Sequence, residues 1–269
     1  MTGEREAPAV KLRTVHATRY VTPLREGGSL PAIVEADDAG MYVLKFRGAG
    51  QGPKVLVAEV IVGELARTAG LAMPEIVLIE LDADLARTEP DPEIQQLIRA
   101  SAGLNLAFDY LPGSVTFDPI ADQPDALLAS SIVWLDAYTS NVDRTARNAN
   151  MLMWHRKLWL IDHGAALYFH HGWPDGVDRS ASPFTAIKDH ILLNAATALD
   201  EADMAMTARI TPALVQEVVA LVPDAWLNSD KRFTSASQAR EAYVQHLSRR
   251  LAAPRAFLEE AKRARSLLV

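Results

Sequence analysis

Three oxygen-bearing side chains in "NVDRTARNANMLMWHRKLWLIDHG" (141 to 164) have the types and spacing that phosphoryl transfer needs. Asp143 precedes Asn148 by five positions, and Asp162 closes an apolar run just before His163-Gly164. Transfer from ATP calls for a carboxylate on the acceptor hydroxyl, oxygen ligands for Mg²⁺, a cation on the phosphates and backbone donors that cover them. The spacing assigns Asp143 to the acceptor hydroxyl and Asn148 with Asp162 to the metal. Mg²⁺ favours hard oxygen ligands and keeps some of its waters, so one amide, one carboxylate and the nucleotide phosphates suffice.

These groups must be brought together by the elements around them. Residues 151–154 and 158–161 are apolar runs joined by "HRK", a hairpin signal that folds Asp162 back beside the 143–148 loop. The cation is expected on a strand ahead of them. Lys45 lies in "YVLKF", where an unpaired lysine among apolar neighbours is costly to bury. Glu59, early in the helix that follows, is the ion-pair partner expected first, with Glu64 second. The turn "LREGGS" offers Gly27, Gly28 and Ser29, whose backbone N–H groups can approach phosphate. Asp109, Tyr110 and Leu111, in "FDYLPG", are where the backbone would meet the adenine edge. Taken singly, several of these signals have plain readings too. Lys45 also fits a snorkelling edge-strand lysine, and Gly27-Gly28 an ordinary hairpin turn.

The remaining pattern supplies the frame. Runs at 14–24, 29–36, 41–47, 74–82 and 103–111 read as five strands, with short turns that predict antiparallel neighbours. "PKVLVAEVIVGELARTAGL" keeps helical spacing at Val57, Val60, Ile61 and Leu65, with Pro53 near its start and Gly70 near its end. From "PDALLASSIVWLDAYTSN" onward, helices dominate, including "FTAIKDHILLNAATA", "TPALVQEVVALVPDAW" and the stretch from "SASQAREAYV" to the end. The expectation is an α+β bilobal fold. Residues 1–112 form a small antiparallel β-rich lobe with one main helix, and 113–269 a larger, mainly helical lobe.

At this point a resemblance can be stated. "NVDRTARN" is similar to the Asn-x-Asp-x-His-x-Lys-Asn pattern of HipA-like kinases: Asn141, Asp143 and Asn148 match, Arg147 stands for the Lys, and Thr145 replaces the His. Asp143-Arg144 is instead like the Asp-Arg of phosphoinositide lipid kinases. "LIDHG" resembles the metal-binding segment of both, and "AEVIVGELARTAGL" resembles the HipA helix that carries the acidic partner of the lysine. The motifs run from about residue 20 to 170. The resemblance implies a bilobal protein-kinase-like fold and an ATP- and Mg²⁺-dependent kinase acting on a Ser or Thr hydroxyl of a protein. The alternatives are a lipid or small-molecule hydroxyl as acceptor, or an ATP-binding module without turnover.

Composition narrows the classes. A net charge of −7 over 269 residues argues against general nucleic-acid binding, which needs a basic surplus. The sequence has no cysteine, which excludes disulfides, thiolate metal sites and cysteine nucleophiles. The beginning, "MTGEREAPAVKLRTV", has no apolar stretch of the secretory type, and no run is long enough to span a bilayer, so a cytoplasmic location is expected. "GAGQGPK" (48–54) fails as a dinucleotide fingerprint, since Pro53 takes the third glycine position, and as a Walker loop, since it has no Gly-Lys-Ser/Thr. Its glycines stay open as a flap, a second anion site or a plain loop. His155, His163, His170 and His171 lack zinc-site spacing, and Trp134, Trp154 and Trp159 fall at apolar, core-type positions.

Overall fold

A computed structural model describes residues 11–24, 30–50, 52–173 and 179–268. The expected phosphate-covering residues Gly27, Gly28 and Ser29 lie outside the described residues.

The five N-terminal strands are β1 (Thr14–Pro23), β2 (Ala32–Ala36), β3 (Met41–Lys45), β4 (Ile76–Leu81) and β5 (Gly103–Asp109). They close into a barrel in the order β1-β2-β3-β5-β4. This corrects the antiparallel expectation in one place. β1 runs parallel to β4, with Thr14 opposite Leu78 and His16 opposite Glu80, while the other neighbouring pairs are antiparallel. Hairpin turns announce antiparallel neighbours locally, but a parallel closure between strands some sixty positions apart leaves no turn signal. The barrel encloses a small core of Val15, Val34, Leu44, Val77, Ile79 and Ala107.

Helix α1 (Pro53–Thr68) follows β3. Pro53 at its first turn gives up an N–H that has no intrahelical partner. At the other end, Gly70 takes the left-handed conformation (φ 88°), its N–H donates to the Arg67 carbonyl, and the Leu71 N–H donates to that of Ala66. That paired closure is a Schellman stop, which a Cβ at position 70 would strain. Nearly the whole circumference of α1 is buried, because it lies between the barrel strands and the C-terminal helices. At Gly63 the helix approaches β4 so closely that an added Cβ would stand 2.6 Å from Ile76 Cδ1.

A second helix, α2 (Pro92–Ala100), interrupts the polar stretch between β4 and β5, so α1 is not the sole helix of the β-rich part. Asp91 starts it by accepting the Glu93 N–H at 2.9 Å. The short β6 (Val115–Thr116) then pairs with the hairpin of β7 (Met151–Trp154) and β8 (Lys157–Leu160). Between β6 and β7 runs α3 (Ala126–Thr139), capped by Asp125 and ended by left-handed Ser140. The helices α4 (Leu199–Arg209), α5 (Pro212–Ala220), α6 (Asp224–Leu227), α7 (Ala236–Leu251) and α8 (Ala256–Ser266) complete the chain. The stretch 184–198, expected as an amphipathic helix, forms only a 3₁₀ turn at Thr185–Asp189 and further turns. Its apolar residues Ile187, Leu192 and Leu193 are buried as turn residues, while α4, which had no strong periodicity, is helical.

The main apolar core runs from α1 and one face of β4 and β5 through α3 to α5, α7 and α8. It therefore crosses the expected boundary near residue 112. No helix among the described residues is long and apolar enough to cross a membrane.

Candidate active site

Lys45 ends β3, where its side chain is almost wholly buried. Its Nζ lies 2.8 Å from Glu59 Oε1 on α1 and donates to Asp162 Oδ1 at 2.7 Å. Glu64, the second expected partner, pairs instead with Arg67 at 2.5 Å. Glu59 has a further role: its Oε2 accepts the backbone N–H of His163 at 2.7 Å. One buried carboxylate thus ties the barrel lysine to the Asp162-His163-Gly164 segment. Burial alone would lower the Lys45 pKa, but the charges of Glu59 and Asp162 outweigh it, so the ammonium stays protonated above its usual range. Burial pushes Glu59 up to about 7, against the pull of Lys45. Burial works the same way on Asp162, yet Lys45 prevails and holds that carboxylate below its ordinary value.

Asp162 has φ 53°, a left-handed conformation that an aspartate tolerates better than most residues. Gly164 is required on packing grounds, since a Cβ there would sit 2.6 Å from Val55 Cγ1 on α1. The hairpin places this segment. Its two-residue turn is His155-Arg156, both with positive φ, and the Ile161 N–H donates to the Asn150 carbonyl. The segment that carries Asp162, just past β8, is therefore tied to the end of the 143–150 loop.

Within that loop, Asp143 Oδ2 accepts from Asn148 Nδ2 at 2.7 Å and from Asn150 Nδ2 at 3.3 Å. Asn148 is exposed and Asn150 buried. Beneath them lies a buried polar network centred on Asp136 of α3. Its Oδ2 accepts from Arg144 Nε at 2.5 Å and from His190 Nε2 at 2.9 Å, and its Oδ1 from Asn141 Nδ2 at 2.9 Å. Arg144 also donates to the Asn150 carbonyl. Burial acts to raise Asp136, but the charge of Arg144 and the contact with His190 win and hold it well below the carboxylate range. The loop is thus held from below by a buried ion pair.

Asp109, Tyr110 and Leu111 leave the barrel at the end of β5, where the N–H groups of Asp109 and Tyr110 bond the carbonyls of Glu75 and Met41. The 48–52 loop, left open by sequence, joins β3 to α1. Its Gly48 N–H donates to Ser101 Oγ at 3.0 Å, which fixes its root to the turn after α2.

A family model described as HipA-like kinase matches residues 18–259. The chain belongs to the HipA-like kinase family. The match extends well past residue 170, where the legible motifs stop, and it makes this protein a phosphotransferase. No curated protein matches the chain. Among solved structures, the fold of this HipA-like kinase is similar to that of the Helicobacter pylori proinflammatory kinase CtkA. That likeness has a TM-score of 0.53 and 12% identity over 95% of this chain and 99% of the other. It is also similar to the Golgi casein kinase in a structure with Mn/ADP bound, with a TM-score of 0.51 and 13% identity over 96% of this chain and 75% of the other. At such identities the likeness speaks to the fold.

Four residues of the candidate site escaped the motif reading: Asp136, Asn150, His163 and His190. One of them did leave a signal. Asp136 is an acid inside the apolar run "SIVWLDAY", and a charge there is costly unless a partner meets it. Its partners come from 141, 144 and 190, which no local pattern connects.

Proposed function

We propose that this HipA-like kinase transfers the γ-phosphoryl group of ATP, with Mg²⁺, to a Ser or Thr hydroxyl of a protein. The observation that carries the reading is the convergence of Lys45, Glu59 and Asp162, from β3, α1 and the end of the hairpin, within hydrogen-bonding distance of one ammonium. In a protein without cysteine, a buried lysine gripped by two carboxylates beside an Asp-Asn loop suits phosphate chemistry. Lys45 binds the phosphates, and Glu59 holds it in place. Asp143 orients the acceptor hydroxyl through Oδ1 and takes its proton, since Oδ2 is occupied by the two asparagines.

The donor set fits a hard divalent cation. Asn148 commits its amide nitrogen to Asp143, which leaves its amide oxygen as a ligand, and Asp162 is 42% exposed at its side chain. Among the described residues, no group of three or more His, Asp or Glu side chains could hold a metal alone. Asn148 and Asp162 would hold the cation together with the nucleotide phosphates, whose charge it would partly neutralise. The Mn/ADP in the Golgi casein kinase supports the use of a nucleotide with a divalent cation. In our reading, residues 1–112 carry the nucleotide and 113–269 the catalytic loop. Of the 109–111 trio, Leu111 is the member whose N–H we assign to the adenine edge.

The acceptor is assigned on the family resemblance and on the casein-kinase likeness. The Asp143-Arg144 pair, lipid-kinase-like in sequence, lends no weight to a lipid acceptor, because Arg144 is turned inward to Asp136. The decisive test uses radiolabelled ATP with Ser/Thr- and Tyr-containing peptide mixtures and with phosphoinositide vesicles, in wild type and Asp143→Ala. Label on Ser/Thr peptides that falls about 10²–10⁴-fold in the variant, with ATP affinity kept, is the expected result. Undiminished labelling by Asp143→Ala would refute the role of Asp143, and label confined to vesicles would refute a protein acceptor.

A further inference from the structure

The residue between Asp162 and Gly164 has no role in the chemistry assigned above, yet its polar groups reach three separate parts of the site. His163 is fully buried. Its backbone N–H goes to Glu59 on α1, its Nδ1 lies 3.2 Å from Arg144 Nη2 in the catalytic loop, and its Nε2 lies 3.1 Å from the sulfur of Met73 ahead of β4. A guanidinium offers only donors, so Nδ1 must accept from Arg144, and the ring proton resides on Nε2, facing a weak sulfur acceptor. Burial, with the charge of Arg144, lowers the pKa of the ring to about 3, in agreement with a neutral imidazole. Arg144 is itself fixed by Asp136 and in turn holds the Asn150 carbonyl, while Asn150 donates to Asp143.

Resting on the reading of Asn148 and Asp162 as metal ligands, we infer that His163 is a positioning residue that sets the spacing between those two ligands. Its imidazole acceptor locks the segment bearing Asp162 against the Arg144 guanidinium, and Arg144 is part of the loop bearing Asn148. A leucine or phenylalanine at 163 would fill the space but leave a buried Arg144 donor unmet, so that either the arginine or the segment must shift. The two ligands would then no longer meet one cation at the same spacing. The Met73 contact, a weak sulfur acceptor, contributes less to this arrangement.

The test is a thermal-shift titration of the full chain at fixed ATP with rising Mg²⁺, which reads binding and not turnover. Wild type comes first: if Mg²⁺ does not strengthen the ATP-induced shift, the metal assignment itself fails, whatever His163 does. Given a wild-type response, His163→Leu should raise the half-saturating Mg²⁺ concentration about 10–100-fold, as loss of groups that orient metal ligands does. His163→Asn, whose amide oxygen can stand where Nδ1 stood, should restore a response near wild type. A His163→Leu protein that melts earlier without ligand but keeps the wild-type Mg²⁺ dependence would overturn the inference, leaving only a structural role. Equal shifts in His163→Leu and His163→Asn would overturn it as well. Should His163→Leu fail to fold, His163→Gln, whose amide reaches the Nε2 position, takes its place. It should need more Mg²⁺ than His163→Asn, and identical curves for the two would refute the role of Nδ1.

Discussion

A buried lysine is tolerable only where carboxylates meet it, and Lys45 meets two. The residue-scale prediction is that Lys45→Met lowers turnover by about 10²–10³, the usual consequence of removing one preorganised stabiliser of developing charge. Glu59→Gln should lower turnover less than Lys45→Met does, because the amide's single oxygen keeps an acceptor for either Nζ or the His163 N–H, though not for both. Steady-state kinetics on both variants decide the order, and equal losses would mean that Lys45 contributes nothing unless both contacts of Glu59 are intact. At this scale the sequence was informative wherever a residue type is chemically unusual for its surroundings. Lys45 in an apolar strand and Asp143 with Asn148 stood out in that way. His163 did not, since a histidine in a Gly-containing segment has no spacing that separates a buried tie from a surface side chain.

Elements bring these groups together, and two of them can be tested at single positions. Gly164 packs on Val55 of α1, so Gly164→Ala should destabilise by about 1–3 kcal/mol through overpacking. Adding Val55→Ala should recover part of that loss, a coupling that urea melts of the two single variants and the double variant would measure. Additive losses would refute the contact. In the hairpin turn, His155 and Arg156 both adopt positive φ, where a two-residue loop favours Asn-Gly. Arg156→Gly should therefore raise stability, by up to about 1 kcal/mol after the entropy of glycine is offset. A lower melting temperature would contradict that. Period-two and period-3.6 patterns made the five strands, the hairpin and α1 legible. They misled at 184–198, where apolar residues pack as turns, and they missed α2, whose stretch is largely polar and whose Pro92 and Asp91 are its main announcement.

For the whole molecule, the Asp136 network joins α3, the 141–150 loop and the turn at 190 within the main core, so its stability effect is global. Asp136→Asn leaves Arg144 buried without its charge partner and should cost about 3–5 kcal/mol at neutral pH. The pH dependence has a definite sign. Asp136 is held below the ordinary carboxylate range in the folded state, so its contribution is complete above about pH 4 and is lost as pH falls toward the folded value. The gap in unfolding free energy between wild type and Asp136→Asn should hence narrow on acidification below that range. Denaturant melts from pH 7 down to pH 3 would show it, and a constant gap would refute the linkage.

The sequence by itself determined the chemistry on offer and the local elements, because residue type, turn signals and hydrophobic period are properties of neighbouring positions. Asp143, Asn148 and Asp162, the lysine on the third strand and the long helix after it are all readable in that way. Only the tertiary structure decided which acid meets Lys45, that β1 closes the barrel parallel to β4, and that the main core runs through α1 and across residue 112. It also decided that Arg144 and His163 face each other in the interior. Those outcomes depend on contacts between residues distant in the chain, where burial makes an unpaired charge or donor expensive and so selects the one packing that pairs them all.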